Sequence, residues 1–141
     1  MKQNLVRERH AMLAGMTPDL KDGTYFFCTT KDVTVADALL HCSVAVFREH
    51  EGVALVLMED DARHHGFDVS MPMRRIVLEV FSALDGVGLT AGVATALADH
   101  GIPCNMIAAY HHDNVFVPAS MAERAISILQ DVQREAASAE S

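Results

Sequence analysis

The sequence contains no tryptophan, two tyrosines and only three cysteines among 141 residues. The cysteines form no CxxC pair, and an odd number of them favours reduced thiols over a disulfide framework. No apolar run approaches the roughly 20 residues of a membrane-spanning helix. The first ten residues lack the apolar core of a signal peptide. These absences predict a cytoplasmic protein with no membrane partner.

Basic residues are also scarce, since 11 lysines and arginines face 19 acidic residues and the net charge is −8. Non-specific nucleic-acid binding needs lysine and arginine to displace phosphate counterions, so we expect no nucleic-acid partner. The phosphate-binding patterns GxGxxG and GxxxxGK[ST] are absent. The composition that remains is 50% hydrophobic and 21% charged, which is typical of a globular chain.

Patterns that carry catalysis or hold metals are weak in this chain. His111, His112 and Asp113 are residue types that bind zinc or iron, but three adjacent residues in a turn rarely converge on one ion. Ser43 and Ser82 have no histidine and acid partners at a recognisable spacing. We therefore expect no metal, no cofactor and no catalytic residue.

Hydrophobic periodicity and turn residues predict alternating strands and helices in both halves. In the first half we expect a helix over residues 3–16, a strand at Thr24–Thr29, a helix from a capping box at Thr34–Asp37 to about His41, a hairpin of Val44–Arg48 with Val53–Met58, a helix from Asp60 to Gly66 and a short strand near Asp68–Met71. In the second half we expect a strand at Arg75–Phe81, a helix with Leu89, Val93, Ala96 and Leu97 inward that stops at Gly101, strands at Cys104–Tyr110 and Asn114–Val117, and a last helix from Ser120.

Each half thus follows the order strand, helix, strand, strand, helix, which indicates an internal duplication. Short crossover helices between strands predict an α+β fold, with antiparallel sheets and helices packed on one face. We place the first lobe at residues 1–72 and the second at 73–134, and we expect residues 135–141 to form a flexible tail.

The second half contains a glycine loop that leads into a helix. Gly86 and Gly88 permit close backbone approach, and the helix start offers free N–H groups to a small anion such as a carboxylate. Thr90 could add a hydroxyl, and Asn105 on the next strand could bind either end of an amino acid. A tight strand-to-helix turn also explains the glycines and is the interpretation that the local sequence alone favours, so both interpretations stay open.

The segment VGLTAGVATALADHGIPCNMIAAY resembles the signature of an ACT domain, through Gly88, Leu89, Leu97, Gly101, Ile102, Asn105 and Ile107. Over most of residues 5–133 the chain is similar to small stand-alone bacterial proteins with two tandem ACT-like domains. The phrases EGVALVL (Glu51–Leu57), VGLTA (Val87–Ala91) and HHDNVFVP (His111–Pro118) carry that similarity.

The resemblance implies two ferredoxin-like βαββαβ lobes and a non-catalytic regulatory protein that binds a small molecule where lobes meet, with an amino acid as the expected ligand. The implied ligand-binding positions are Asp85, Gly86, Val87, Gly88, Leu89, Thr90 and Asn105, with Val87 standing where the family often has proline. It also implies a homodimer and a separate regulated protein. The alternatives are a ligand-free protein-interaction module and, less favoured, a small enzyme that uses His111, His112 or Asp113.

Overall fold

The computed structural model describes residues 9–79 and 88–140, and for residues 139 and 140 only the backbone. In chain order the elements are α1 (residues 9–14), β1 (Thr17–Leu20), β2 (Tyr25–Thr30), α2 (Val33–Leu39), β3 (Ala45–Glu49), β4 (Gly52–Met58), α3 (Glu59–His64), β5 (Met73–Glu79), α4 (Leu89–Asp99), β6 (Asn105–Ala108), β7 (Asp113–Pro118) and α5 (Ala122–Glu140). Short 3-10 turns at Leu40–Cys42 and Ala119–Met121 follow α2 and precede α5. The predicted α+β fold, with antiparallel strands and packed helices, is confirmed.

The chain divides into two compact units. The contiguous unit is Asp22–Met73, whereas the split unit combines Met1–Lys21 with Arg74–Ser141. The N-terminal segment therefore groups with the second half of the chain. The sequence-based boundaries at 1–72, 73–134 and 135–141 stay a prediction.

In the contiguous unit, β4 lies between β3 and β2 and pairs antiparallel with both. The predicted hairpin is confirmed, since Glu49 pairs with Gly52 across its turn. Side chains alternate across a strand, so one face of this sheet is apolar and meets the helices. That core consists of Phe26, Cys28, Leu39, Leu55, Leu57 and Ala62.

Two local predictions in the contiguous unit are wrong. Helix α2 is capped by Asp32, whose carboxylate accepts from the N–H groups of Thr34 and Val35 at 2.9 and 3.3 Å, not by a capping box that starts at Thr34. The expected strand near 68–71 is absent from the described residues. There the Asp68 carboxylate accepts from the Ser70 N–H at 2.9 Å, which closes a local turn instead of a sheet ladder.

In the split unit the strand order is β1, β5, β7, β6. Strands β1 and β5 pair antiparallel from Thr17 opposite Glu79 to Leu20 opposite Ile76, and β6 and β7 pair antiparallel as a hairpin. The core joins α1, β5, α4, β7 and α5 through completely or almost completely buried side chains such as Met16, Ile76, Val93, Val115 and Leu129.

Strand β1 was not predicted, because no element was expected between the helix over residues 3–16 and the strand at Thr24–Thr29. Pro18 lacks an N–H group, which usually excludes it from a central strand. Here β1 pairs with β5 alone, so a proline costs the ladder little. The fourth strand of this sheet therefore comes from the N-terminal segment.

The remaining elements of the split unit follow the sequence closely. Helix α4 ends with Gly101 at a φ of 71°, and the Ile102 N–H bonds back to the Leu97 carbonyl at 3.0 Å, as the predicted glycine stop requires. Helix α5 continues to Glu140, and Ala136 within it is buried. In the part of the chain that the structure describes, no helix is long and apolar enough to cross a membrane.

Candidate functional site

The start of α4 is the part of the predicted second-lobe site that the structure describes. Gly88 is the N-cap of α4, with a φ of 109° and a ψ of −19°, a backbone conformation that favours glycine. The first N–H groups of a helix have no acceptor within it, and they carry the positive end of the helix dipole. These are the groups that the predicted anion site would use, and the site itself stays a prediction.

The other predicted positions differ in their exposure to solvent, and three of them are not described by the structure. Leu89 is 2% exposed and belongs to the core of the split unit, so only its backbone is available to a ligand. Thr90 and Asn105 are exposed, Thr90 in the first turn of α4 and Asn105 as the first residue of β6. Asp85, Gly86 and Val87 lie outside the described residues. Among the described residues no hydrogen bond joins the Asn105 side chain to α4.

Arg9 contacts this helix start and was missed by the sequence reasoning. A Cβ atom built on Gly88 would lie 2.7 Å from the Cβ of Arg9 and 2.9 Å from its Cα. The arginine stem therefore packs against the glycine that begins α4, while the Arg9 residue is largely exposed. Its guanidinium is a cation close in the fold to a helix start that favours anions.

A groove of about 710 Å³ lies within the contiguous unit, and none of the predicted ligand-binding residues is among those that line it. Its walls are one face of α2, the edge strand β3, the β3–β4 turn and the end of β2. The lining residues are Thr30, Lys31, Val33, Ala36, Asp37, Leu40, Val46, Arg48, Glu49, His50, Glu51, Gly52 and Val53.

Local periodicities explain why these residues meet. Positions Val33, Asp37 and Leu40 recur at helical spacing and lie on one face of α2 and its 3-10 extension. Val46 and Arg48 are two apart on β3, so both point to the same side of the sheet. Val46 pairs with Leu55, a core residue, which identifies that side as the face where the helices pack.

The groove combines an apolar wall with charges of both signs. Val33, Leu40 and Val46 are 67%, 50% and 40% exposed, although each is apolar. Around them lie the cations Lys31 and Arg48, the imidazole of His50, and the carboxylates of Asp37, Glu49 and Glu51. No hydrogen bond or ion pair to another described residue engages any of these six charged or titratable side chains. They are therefore available to a ligand.

The histidine turn shows no such convergence. His111 and His112 are exposed at the tip of the β6–β7 hairpin, where the Ala109 N–H donates to the His112 carbonyl at 3.0 Å. Burial raises the pKa of the neighbouring Asp113 carboxyl. Within residues 9–79 and 88–140, no group of three or more histidine, cysteine, aspartate or glutamate side chains could hold a metal ion.

The three cysteines are free thiols in apolar surroundings. Burial raises the pKa of the thiols of Cys28, Cys42 and Cys104 above the ordinary value. A raised thiol pKa reduces the fraction of thiolate, which is the nucleophilic form. Cys28 is part of the core of the contiguous unit, and Cys104 packs against the core of the split unit.

Comparison with known protein families places the chain. Residues 6–74 match one ACT domain family and residues 72–131 match a second. The chain belongs to the ACT domain family. Two ACT domains lie in tandem, as the resemblance in the sequence implied, and together they account for most of the chain. ACT domains are typically regulatory rather than catalytic, so membership supports a role in regulation through a bound small molecule.

Solved structures are similar over most of the chain. A Vibrio cholerae protein of unknown function, described as a possible transport protein, is 38% identical, with a TM-score of 0.81 over 92% of this chain and 98% of that one. A protein from Agrobacterium tumefaciens is 16% identical, with a TM-score of 0.66 over 84% and 89%. The ligand-free regulatory subunit of aspartate kinase from Thermus thermophilus is 14% identical, with a TM-score of 0.60 over 84% and 98%. No curated protein matches the chain.

The groove and the predicted second-lobe site each include the first turn of a helix, α2 in the first ACT domain and α4 in the second. In chain order each of these helices follows a strand, α2 after β2 and α4 after β5. The connection before α4 contains Gly86 and Gly88, on which the sequence-based prediction of a site depends. The connection before α2 has no glycine, and the groove is built from residues scattered between positions 30 and 53. Two features of the sequence could have indicated the groove. One is the apolar face of α2, and the other is the spacing of Val46 and Arg48, which places both on one side of β3.

Proposed function

We propose that this protein is a non-catalytic regulator that binds an amino acid, and that the groove in the contiguous unit holds it. The observation that carries the proposal is the groove itself, where cations and carboxylates without an ion-pair partner among the described residues surround an exposed apolar wall. Small-molecule sites are typically concave, mostly apolar and equipped with a few polar groups that fix orientation. An amino acid carries both charges on one carbon, so its recognition needs groups of both signs close together.

The second-lobe positions remain part of the proposal as a further place of contact. Gly88, Leu89 and Thr90 would offer backbone N–H groups, and Arg9 would add a cation beside them. Asp85, Gly86, Val87 and Asn105 stay predictions, as does the expectation that the ligand lies where two lobes meet. Substitution of Arg9 distinguishes this place from the groove.

Regulation would work through differential affinity. A ligand shifts a conformational equilibrium only by as much as it prefers one state over the other. We propose that the amino acid favours one arrangement of a homodimer, and that a separate regulated protein recognises that arrangement. The regulated activity would then reside in that partner and not in this chain.

The test is a thermal-shift screen of the full chain against the twenty amino acids at millimolar concentration, followed by calorimetric titration of each positive. A ligand present at 100 times its Kd stabilises the folded state by about 2.7 kcal/mol, which gives a measurable rise in Tm. Binding of at least one amino acid with a Kd below about 1 mM supports the proposal. If no amino acid raises the Tm or gives a binding isotherm, the proposed function fails.

A ligand-free interaction module is the second candidate, and one observation favours it. Phe27, Phe47 and Met58 are 46%, 73% and 42% exposed. Their pairing register places all three on the face of the contiguous sheet opposite its core. Large apolar side chains clustered on one surface mark a site of protein contact.

Sedimentation velocity tests this second candidate with the chain itself as partner. Phe47→Ser is expected to reduce self-association, because it removes the most exposed ring of that face. Val33→Ser is the control, since Val33 is 67% exposed but lies on α2, which packs on the other face. Equal association of both variants and the wild type would argue against this face as an interface.

A further inference from the structure

We infer that the groove selects an α-amino acid with an aliphatic side chain, anchored at its carboxylate by Arg48 and at its ammonium by Asp37. This inference rests on the proposed function, because it specifies the ligand of that same groove. Its three parts are the apolar wall, the cation and the carboxylate.

The apolar wall defines the side chain of the ligand. Val33, Leu40 and Val46 expose between 40% and 67% of their surface at the groove, and Ala36 and Val53 extend the apolar surface between them. An aliphatic side chain laid on this wall removes apolar surface from water on both partners. Apart from the imidazole of His50, no aromatic ring lines the groove, so stacking gives an aromatic ligand little advantage.

Two cations line the groove, Lys31 and Arg48, and Arg48 is the better partner for the carboxylate of the ligand. It lies on the same side of β3 as Val46, two residues away, so its stem runs beside the apolar wall. A guanidinium offers two parallel N–H donors to a carboxylate, whereas the ammonium of Lys31 is a point charge. Arg48 has no ion-pair partner among the described residues, so a ligand does not have to displace one.

Asp37 completes the recognition. It follows Val33 by one helical turn on α2, so its carboxylate lies along the same wall. Asp37 and Arg48 line one groove but form no ion pair with each other, so a ligand carboxylate can pair with Arg48 and a ligand ammonium with Asp37 without breaking such a pair. Glu49 and Glu51 at the β3–β4 turn add negative charge that disfavours an acidic ligand side chain.

Calorimetric titration of the full chain tests the inference with L-leucine, L-isoleucine and L-valine against L-aspartate, L-lysine and L-phenylalanine. N-acetyl-L-leucine and L-leucinamide remove one charge of the ligand at a time. The aliphatic amino acids are expected to bind at least about tenfold more tightly than the charged ones, and both derivatives to lose about tenfold or more.

The variants Arg48→Gln and Asp37→Asn assign the two anchors. Arg48→Gln is expected to weaken leucine binding about tenfold or more, while leucinamide, which has no carboxylate, binds both proteins alike. Asp37→Asn is expected to weaken leucine binding about tenfold or more, while N-acetyl-L-leucine, which has no ammonium, binds both proteins alike. Arg124→Gln is the matched control, because Arg124 is an exposed arginine on α5, outside the contiguous unit.

The results separate this inference from the proposed function. Aspartate or lysine binding as tightly as leucine, or an unchanged leucine affinity in Arg48→Gln, overturns the inference while amino-acid binding stands. Loss of binding in Arg9→Gln combined with no change in Arg48→Gln also overturns it, since the ligand would then be held at the start of α4. No binding of any amino acid overturns both.

Discussion

Gly88 packs against the stem of Arg9, so that a Cβ atom on Gly88 would stand 2.7 Å from the Cβ of Arg9. The contact joins the start of the first described segment of the chain to the beginning of α4. Only glycine satisfies both the short distance and the positive φ at this position.

Gly88→Ala is therefore expected to destabilise the protein by about 2–3 kcal/mol, because backbone strain and a clash with backbone atoms act together. Gly101→Ala is the matched control: Gly101 has a φ of 71°, but no atom lies within 4 Å of an added Cβ. It should cost only the left-handed strain of about 1–2 kcal/mol. Urea unfolding of both variants measures the difference, and equal losses would contradict the packing argument.

The buried amide of Asn114 holds the split unit through three hydrogen bonds. Its Oδ1 accepts from Arg75 Nε at 2.9 Å, and its Nδ2 donates to the carbonyls of Ile107 and His112 at 3.3 and 3.5 Å. Asn114→Ala is expected to lower the free energy of unfolding by about 2 kcal/mol, because it removes partners from groups that are shielded from water.

Asn105→Ala is the control for Asn114→Ala. Asn105 lies on the paired strand β6 but is exposed, so its loss should change stability by less than about 0.5 kcal/mol. Chemical denaturation at neutral pH measures both. A similar effect of the two substitutions would mean that the buried network contributes little.

Asp113 gives the stability a specific pH dependence. Burial raises the pKa of its carboxyl in the folded state, so the folded protein holds the proton more tightly than the unfolded chain. The favourable contribution is complete below the unfolded pKa and is lost as pH rises through the folded pKa. At neutral pH the charged carboxylate therefore opposes folding.

Asp113→Asn should accordingly be at least as stable as the wild type at pH 7, and the advantage should shrink as the pH falls through the raised folded pKa and be gone below about 4. Thermal unfolding between pH 3 and 8 checks this. Asp22→Asn, at an exposed aspartate, controls for the change in net charge. If the gap between Asp113→Asn and the wild type widens at low pH, the sign of the argument is wrong.

Two adjacent leucines separate stability from binding. Leu39 is 1% exposed in the core of the contiguous unit, whereas Leu40 is 50% exposed on the groove wall. Leu39→Ala should cost about 2–5 kcal/mol of stability, because it leaves a cavity. Leu40→Ala should cost less than about 1 kcal/mol and weaken the binding of an aliphatic amino acid. Denaturation and titration of both variants measure the two effects, and a stable Leu39→Ala protein would contradict the assigned core.

The elements that local sequence fixes were predicted well. The β3–β4 hairpin, the stop of α4 at Gly101 and the β6–β7 turn follow from glycine chemistry and alternating apolar residues. Strand β1 was missed because Pro18 argues locally against a strand, and only its pairing with β5 makes one favourable. The cap of α2 was misplaced because Asp32 and Thr34 are both good caps, and tertiary packing chooses between them.

The candidate site was harder to predict for the same reason. The glycine loop before α4 can be recognised because its residues are adjacent in the sequence. The groove depends on the pairing of β3 with β4 and on the face that α2 turns outward, so its residues are close only after folding. Arg9 is a still clearer case, since nothing local relates it to a glycine 79 positions later.

The position of β1 also sets an order of events during synthesis. Leu20 cannot pair with Ile76 until Ile76 has been synthesised, and the entire contiguous unit, Asp22–Met73, leaves the ribosome between these two residues. The contiguous unit has all its strands available as soon as it emerges, so it can fold while β1 is still unpaired. Strand β1 therefore stays unpaired until β5 has followed the whole contiguous unit out of the ribosome.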